Sequence, residues 1–277
     1  MTASPTPGDD TPLPRTTTNR AAFFDVDKTL LPGSSLYLLA RGMYRRGMYT
    51  FRDLSGFAYS QIAFRISGFE PMKGIEAARE SALAFIEGKR QDELEPLAQD
   101  IVVEVIGPRI YPEMRKVIEA HHANGDRTFL VTAAPEDIAG RIAAYLGMDG
   151  ALGTRTECVD GVYTGRLLGP VLHGPAKLDA IKALAEKEDI DLSASSAYSD
   201  SVNDRPLLEG VGRAVAVNPD RSLKKIAREK GWPVQDFRSG RWLLVWAPSV
   251  AGALAAGEGV RRAIRRRRRS ALRKFLD

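Results

Sequence analysis

The sequence predicts an α/β protein: a parallel sheet covered by helices, with a helical insertion after its first strand. Three observations lead there. Ala21, Ala22, Phe23, Phe24 and Val26 form a short apolar run that ends in two aspartates, Asp25 and Asp27. From residue 127 onward, strand-like and helix-like segments alternate, the pattern of parallel strands joined by helical crossovers and buried on both faces. Between these two regions, residues 36–105 read as helix, far too long for a connection of a few residues plus one helix.

The elements follow in order. "SSLYLLARGMYRRGMY", "TFRDLSGFAYSQIAFRISGF" and "GIEAARESALAFIEG" carry apolar residues at three and four spacing, and "DELEPLAQDIVVEVIG" continues the helical block. "PEMRKVIEAHHANG" reads as a helix closed by Gly125. "RTFLVTAA" is a buried strand, and "PEDIAGRIAAYLG" a helix opened by Pro135 and closed by Gly147. "TECVDGVYTGRL" is a hairpin turning at Asp160 and Gly161. Then come the helix "GPAKLDAIKALAEKE", the strand "SSAYSD", a short helix "NDRPLLEG", the strand "GRAVAVNPD" and the helix "RSLKKIAREKGW". The expected division is a disordered leader over 1–20, a core over 21–35 and 106–240, a helical cap over 36–105, and a tail over 241–277.

Composition narrows the class. With 44% hydrophobic and 27% charged residues, the 277-residue chain has the profile of a soluble globular protein with a substantial core. One cysteine, Cys158, excludes an internal disulfide framework and fits a reducing, cytoplasmic setting, and three histidines with it argue against a zinc site. The net charge of +5 is uneven: residues 261–277 hold nine Arg or Lys and one Asp, a local +8, so the other 260 residues carry −3. The Pro- and Thr-rich first 20 residues lack the basic start and apolar centre of a signal peptide. No run reaches the roughly 20 apolar residues that span a bilayer; "WLLVWAPSVAGALAAG" falls short and is interrupted by Pro248.

Ligands of open α/β sheets collect beyond the carboxyl ends of the strands. The polar residues expected there are Asp25, Asp27, Thr132, Asp200, Asn203 and Asp204, with Lys177 in the first turn of a following helix. Clustered carboxylates need a neutralising cation or a retained proton. Mg²⁺ suits hard oxygen ligands best, and a lysine with a hydroxyl nearby suggests that the other partner is an anion, most naturally phosphate. Asp25 and Asp27, two apart on an extended chain, point to the same side. Taken singly, each has a plainer alternative: a turn aspartate, a β-branched strand residue, a solvated lysine, a helix N-terminal acid.

Four segments, "DVDKTL", "VTAAP", "GPAK" and "SDSVND", together resemble the haloacid dehalogenase superfamily of Mg²⁺-dependent phosphohydrolases, in the branch that contains phosphoserine phosphatases. The resemblance spans roughly residues 21–236 and implies a Rossmann-like core with an inserted helical cap. It implies Asp25 as the nucleophile and Asp27 as the acid and base, whose backbone carbonyl also ligates the metal. Thr132, Ala133, Lys177 and Asn203 would contact the phosphoryl group, with Thr29 as a helper. The metal set would be Asp25, Asp27, Asp200 and Asp204, the last supporting metal-bound water or Lys177. A receiver-type signalling domain shares the Asp, Thr and Lys chemistry but has no 70-residue helical insert, and a P-type pump needs membrane spans.

Substrate and partners stay open at this level. Phosphoserine phosphatases carry a glutamate nine residues after the nucleophile to receive the serine amine; here that position is Ser34. Eight of the 21 aromatics, Tyr37, Tyr44, Tyr49, Phe51, Phe57, Tyr59, Phe64 and Phe69, fall within 33 residues, interleaved with Arg41, Arg45, Arg46, Arg52 and Arg65. This is either a packed cap with a solvated basic face or the mouth of a site for an apolar phosphomonoester such as a lipid phosphate. The Arg-rich tail has three readings: an anionic-membrane contact peripheral to the inner face, a nucleic-acid contact without specificity, or a solubilising end. No specific nucleic acid and no obligate protein partner are expected. The competing function is a phosphate-binding regulatory module that has lost turnover.

Overall fold

The computed structural model describes residues 19–48, 83 and 86–238. The chain divides into two units, Met1–Gln235 and Asp236–Asp277, and everything below lies in the first. The expected leader apart from 19 and 20, most of the cap's middle, Tyr49 to Phe69 included, and the Arg-rich tail lie outside the described residues.

β1 (Ala21–Phe24) is the hub of a six-stranded sheet, flanked by β2 (Arg127–Pro135) and β6 (Ser196–Ser199). β3 (Gly150–Thr154) lies outside β2, while β7 (Arg213–Val217) and β8 (Val234–Gln235) continue beyond β6, every pairing parallel. The order 3-2-1-6-7-8 reverses between β1 and β6, and that switch point is where a parallel sheet opens a crevice at its carboxyl edge. The α/β expectation and the parallel sheet hold.

β1 sits in the middle because it is apolar on both faces. Phe23 stacks against Phe129 of β2 at 6.0 Å within one core layer. Phe24, pointing the other way, lies flat on Tyr198 of β6 at 4.6 Å with an interplanar angle of 5°. The ring of His121 meets both Phe24 and Tyr198 edge-on. Its Nδ1 pairs with Asp126 and its Nε2 with the Tyr198 hydroxyl, each at 2.8 Å, so the buried polar atoms beneath β1 are satisfied. A strand packed on both sides fixes the position of the residue that follows it, Asp25.

Of the helical insertion, α1 (Ser35–Arg45) and α2 (Gln91–Ile101) are described. They meet at Gly42, where a Cβ would come within 2.8 Å of the Ile101 side chain. α2 runs into a π-helical turn, Val102–Ile106, and a 3₁₀ turn, Gly107–Arg109, before α3 (Pro112–Ala123). The apolar periodicity of residues 92–107 predicts one helix and gives no sign of this change of pitch.

α4 (Glu136–Tyr145) follows β2, and the hairpin β4 (Thr156–Val159) and β5 (Val162–Leu167) follows β3. α5 (Pro175–Glu188), the short α6 (Arg205–Glu209) and α7 (Arg221–Lys230) complete the crossovers. β3 has no counterpart among the expected strands. Its residues, Gly-Ala-Leu-Gly-Thr, carry little β-branched or aromatic signal. The glycine is needed: a Cβ on Gly153 would sit 2.5 Å from Glu136 Cα and 2.9 Å from the Ala134 carbonyl oxygen. β3 therefore lies tight against the end of β2, where Thr132 and Ala133 stand. Gly153→Ala should destabilise the protein by about 1–3 kcal/mol through overpacking, measured by urea unfolding; unchanged stability would contradict the close approach.

Candidate active site

Asp25 takes over directly from β1. Its backbone N–H donates to the Tyr198 carbonyl at 3.0 Å, extending the β1–β6 ladder by one residue. The residue is only 6% exposed and both carboxylate oxygens are held. Thr29 Oγ1 donates to Oδ2 at 3.0 Å, and Lys177 Nζ donates to Oδ1 at 2.6 Å.

Lys177 reaches that position from the first turn of α5, where a lysine is unfavourable to the helix dipole and is ordinarily solvated. Here it is 2% exposed, and its second partner is Asp204 Oδ2 at 2.7 Å. The turn into α5 is made by Gly174, whose φ of +56° suits a residue without a Cβ. Asp204 Oδ2 also accepts the Ser199 hydroxyl at 2.7 Å, while Oδ1 is buried with no hydrogen-bond partner among the described residues. Asp200, 7% exposed, begins the turn between β6 and α6, and its carboxylate makes no hydrogen bond among the described residues.

These groups carry more negative than positive charge. With Asp25, Asp200 and Asp204 ionised around Lys177, the buried cluster is −2. Burial, with the Asp25 and Asp204 charges adding and Lys28 opposing, pushes Asp200 up to about 7. Burial raises Asp25 to about 6, held back by Lys177 and reinforced by Asp204. Burial alone would favour the neutral amine of Lys177, but Asp25 and Asp204 outweigh it and hold its pKa above the ordinary lysine value.

A divalent ion would restore neutrality, and the chemistry of the donors suits one: hard carboxylate oxygens crowded together, with the Asp200 carboxylate making no hydrogen bond among the described residues. Among the described residues no three His, Cys, Asp or Glu side chains form a closed metal cage.

The other expected residues distribute as follows. Asp27 is half-buried, and its Oδ1 accepts the Ser35 N–H at 2.8 Å, so it stands between the first strand and α1. Thr132 is buried on β2, two residues past Leu130, the register partner of Phe24, and its Oγ1 accepts the Ala134 N–H at 3.2 Å. Ala133 is exposed beside it. Asn203 is exposed, with its N–H on Ser201 Oγ at 3.2 Å. Asp204 accepts hydrogen bonds from Lys177 and Ser199. Ser34 caps α1, its Oγ accepting the Tyr37 N–H at 3.4 Å. Sequence reasoning did not single out Ser199 or Asp220. The first reads as a small strand residue and the second as a helix cap, and only their tertiary partners reveal more.

A buried acid-and-lysine cluster at the switch point of a parallel sheet, preceded by a strand and a helical insertion, defines a class of phosphate-handling α/β hydrolases. The family model "haloacid dehalogenase-like hydrolase" matches residues 22–209, and the chain belongs to this family. It is 45% identical over 250 residues to a Mycobacterium tuberculosis protein named phosphoserine phosphatase SerB1, covering 90% of this chain and 81% of the relative. A histidinol-phosphatase of Neisseria meningitidis is 31% identical over 221 residues, 78% of this chain and 98% of the relative. Among solved structures, a Bordetella pertussis protein of unknown function aligns with a TM-score of 0.70 at 32% identity, covering 79% of this chain and 99% of that one. A substrate-bound phosphoserine phosphatase complex has the same fold, with a TM-score of 0.56 at 20% identity over 83% and 99% of the two chains. The protein is a phosphatase of this family, phosphoserine phosphatase-like at family level.

The raised carboxyl pKa values have a consequence for stability. A group whose folded pKa lies above its unfolded value contributes stability that is fully present below the unfolded value, near 4, and lost as pH rises through the folded one. For Asp200 that window runs from about 4 to about 7. In chelator-treated protein, Asp200→Asn should therefore gain stability over the parent on going from pH 5 to pH 8, by on the order of 3 kcal/mol or less. Urea unfolding at the two pH values measures it; a pH-independent difference would remove the charge crowding.

Proposed function

We propose that the protein is a Mg²⁺-dependent phosphomonoester hydrolase that acts through an aspartyl-phosphate on Asp25. The observation that carries this reading is the Asp25 carboxylate itself: buried, and held by Thr29 on one oxygen and Lys177 on the other. A carboxylate so oriented is a nucleophile that needs no further activation. Asp25 forms a bond to phosphorus as the ester oxygen leaves, and Asp27 delivers a proton to that oxygen. Water then attacks the aspartyl-phosphate, Asp27 takes its proton, and phosphate departs with Asp25 restored. The Thr132 hydroxyl, the Ala133 amide, Lys177 and Asn203 bind the phosphoryl oxygens. Asp25, Asp200 and the Asp27 carbonyl would hold Mg²⁺, which would supply positive charge to the transferring group, and Asp204 keeps Lys177 in place.

Position 34 bears on the substrate. Ser34 is neutral and occupied as a helix cap, so no carboxylate stands there for the amine of phosphoserine. This favours phosphomonoesters that need no such partner, a lipid phosphate being the apolar member of that class. A cytoplasmic site, peripheral to the membrane through the Arg-rich tail, belongs to the same reading; among the described residues no helix is long and apolar enough to cross a membrane.

Asp25→Asn should lower turnover of an aryl phosphate by at least about 10³-fold, and EDTA should abolish it until Mg²⁺ is restored. Full activity in Asp25→Asn would refute the mechanism. A panel containing phosphoserine, histidinol phosphate and lysophosphatidic acid should show phosphoserine as a poor substrate; a clear preference for it would refute the inference from Ser34.

A further inference from the structure

The loop Asn218–Pro219–Asp220, between β7 and α7, touches the backbone of both acidic loops. Asp220 donates its backbone N–H to the Asp200 carbonyl at 2.8 Å. Its Oδ2 accepts the Val202 N–H at 2.9 Å, and its Oδ1 accepts the Leu223 N–H at 2.7 Å to cap α7. The Asp200 carbonyl and the Val202 amide, on either side of Ser201, are thus gripped from one residue. Asn218, 2% exposed, donates its side-chain amide to the Lys28 carbonyl at 2.9 Å, inside the loop that carries Asp25 and Asp27. Both ends of that bond have left-handed backbone, φ 62° at Lys28 and φ 48° at Asn218, which ordinary side chains adopt only where surrounding contacts hold them.

We propose that Asn218 and Asp220 are positioning residues, a bracket that fixes the nucleophile loop and the Asp200 loop relative to each other so that a divalent cation can bridge them. The inference rests on the phosphatase reading above. Fixed backbone around a metal ligand is what second-layer contacts provide, and their loss typically weakens metal binding by about 10–100-fold. The plainer role for Asp220, capping α7 alone, uses one carboxylate oxygen; the second oxygen, on Val202, is what the bracket adds.

Asp220→Asn separates the two roles. Asparagine still caps α7 through its carbonyl oxygen, but its NH₂ then faces the Val202 N–H, donor against donor. Mg²⁺ titrated into the parent and variant by calorimetry should bind the variant about tenfold more weakly. Amide hydrogen exchange over residues 201–204 should quicken, and excess Mg²⁺ should restore kcat. Asn218→Asp, which also removes a donor while tolerating a left-handed backbone, should lower kcat more than it raises KM. Parent-like Mg²⁺ affinity and exchange in Asp220→Asn would overturn the bracket, leaving the enzyme assignment intact. Loss of activity that excess Mg²⁺ does not rescue in a folded variant would overturn it too. No Mg²⁺ binding by the parent would overturn both the bracket and the metal-dependent mechanism.

Discussion

One ammonium group organises this site. Lys177 Nζ lies between Asp25 and Asp204 at 2.6 and 2.7 Å, all three side chains nearly removed from water. An isolated charge in that position would be strongly disfavoured, and so would either carboxylate without the lysine. Each group is tolerable only because the others are there. The remaining imbalance, sharpened by Asp200, is a buried excess of negative charge at the edge of the sheet, which burial and the neighbouring carboxylates offset by raising the Asp200 pKa. Stability and chemistry pull in opposite directions here. In the proposed mechanism, the crowding that strains the metal-free protein is what a metal ion and a phosphoryl group would relieve.

The sheet makes such crowding affordable by leaving little freedom for anything nearby. β1 is packed on both faces and paired on both edges, so Asp25 emerges at a fixed point. The reversal of strand order beside β1 separates the crossover helices and opens the crevice. Lys177 arrives from α5, Asp200 and Asp204 from the turn after β6, and Thr132 from β2, which β3 presses against through Gly153. Asp25, Lys177 and Asp204, 152 and 27 residues apart along the chain, meet beside the carboxyl end of β1.

Much of this was legible in the sequence because the informative features are local. Asp25 and Asp27 end an apolar run, Gly125 and Gly147 close helices, and the four segments of the phosphohydrolase pattern each fall at the end of an element. What escaped was either compositionally faint or purely tertiary. β3 is rich in small residues, and the π-turn at Val102–Ile106 lies within an unbroken apolar period. Lys177 alone has the signature of a solvated lysine, and only the two carboxylates that meet it explain its burial. Asp220 reads as an N-cap and is one, but its grip on Val202 spans 18 residues of chain and leaves no local trace.

The central claim is that the buried carboxylate beside Lys177 takes the phosphoryl group. Rapid quenching during turnover of a phosphomonoester with Mg²⁺ present, followed by borohydride reduction and peptide mass spectrometry, tests it most directly, because reduction converts an aspartyl-phosphate to homoserine. The account predicts homoserine at position 25 and nowhere else. Modification of a different residue, or hydrolysis proceeding at full rate with position 25 never modified, would contradict it.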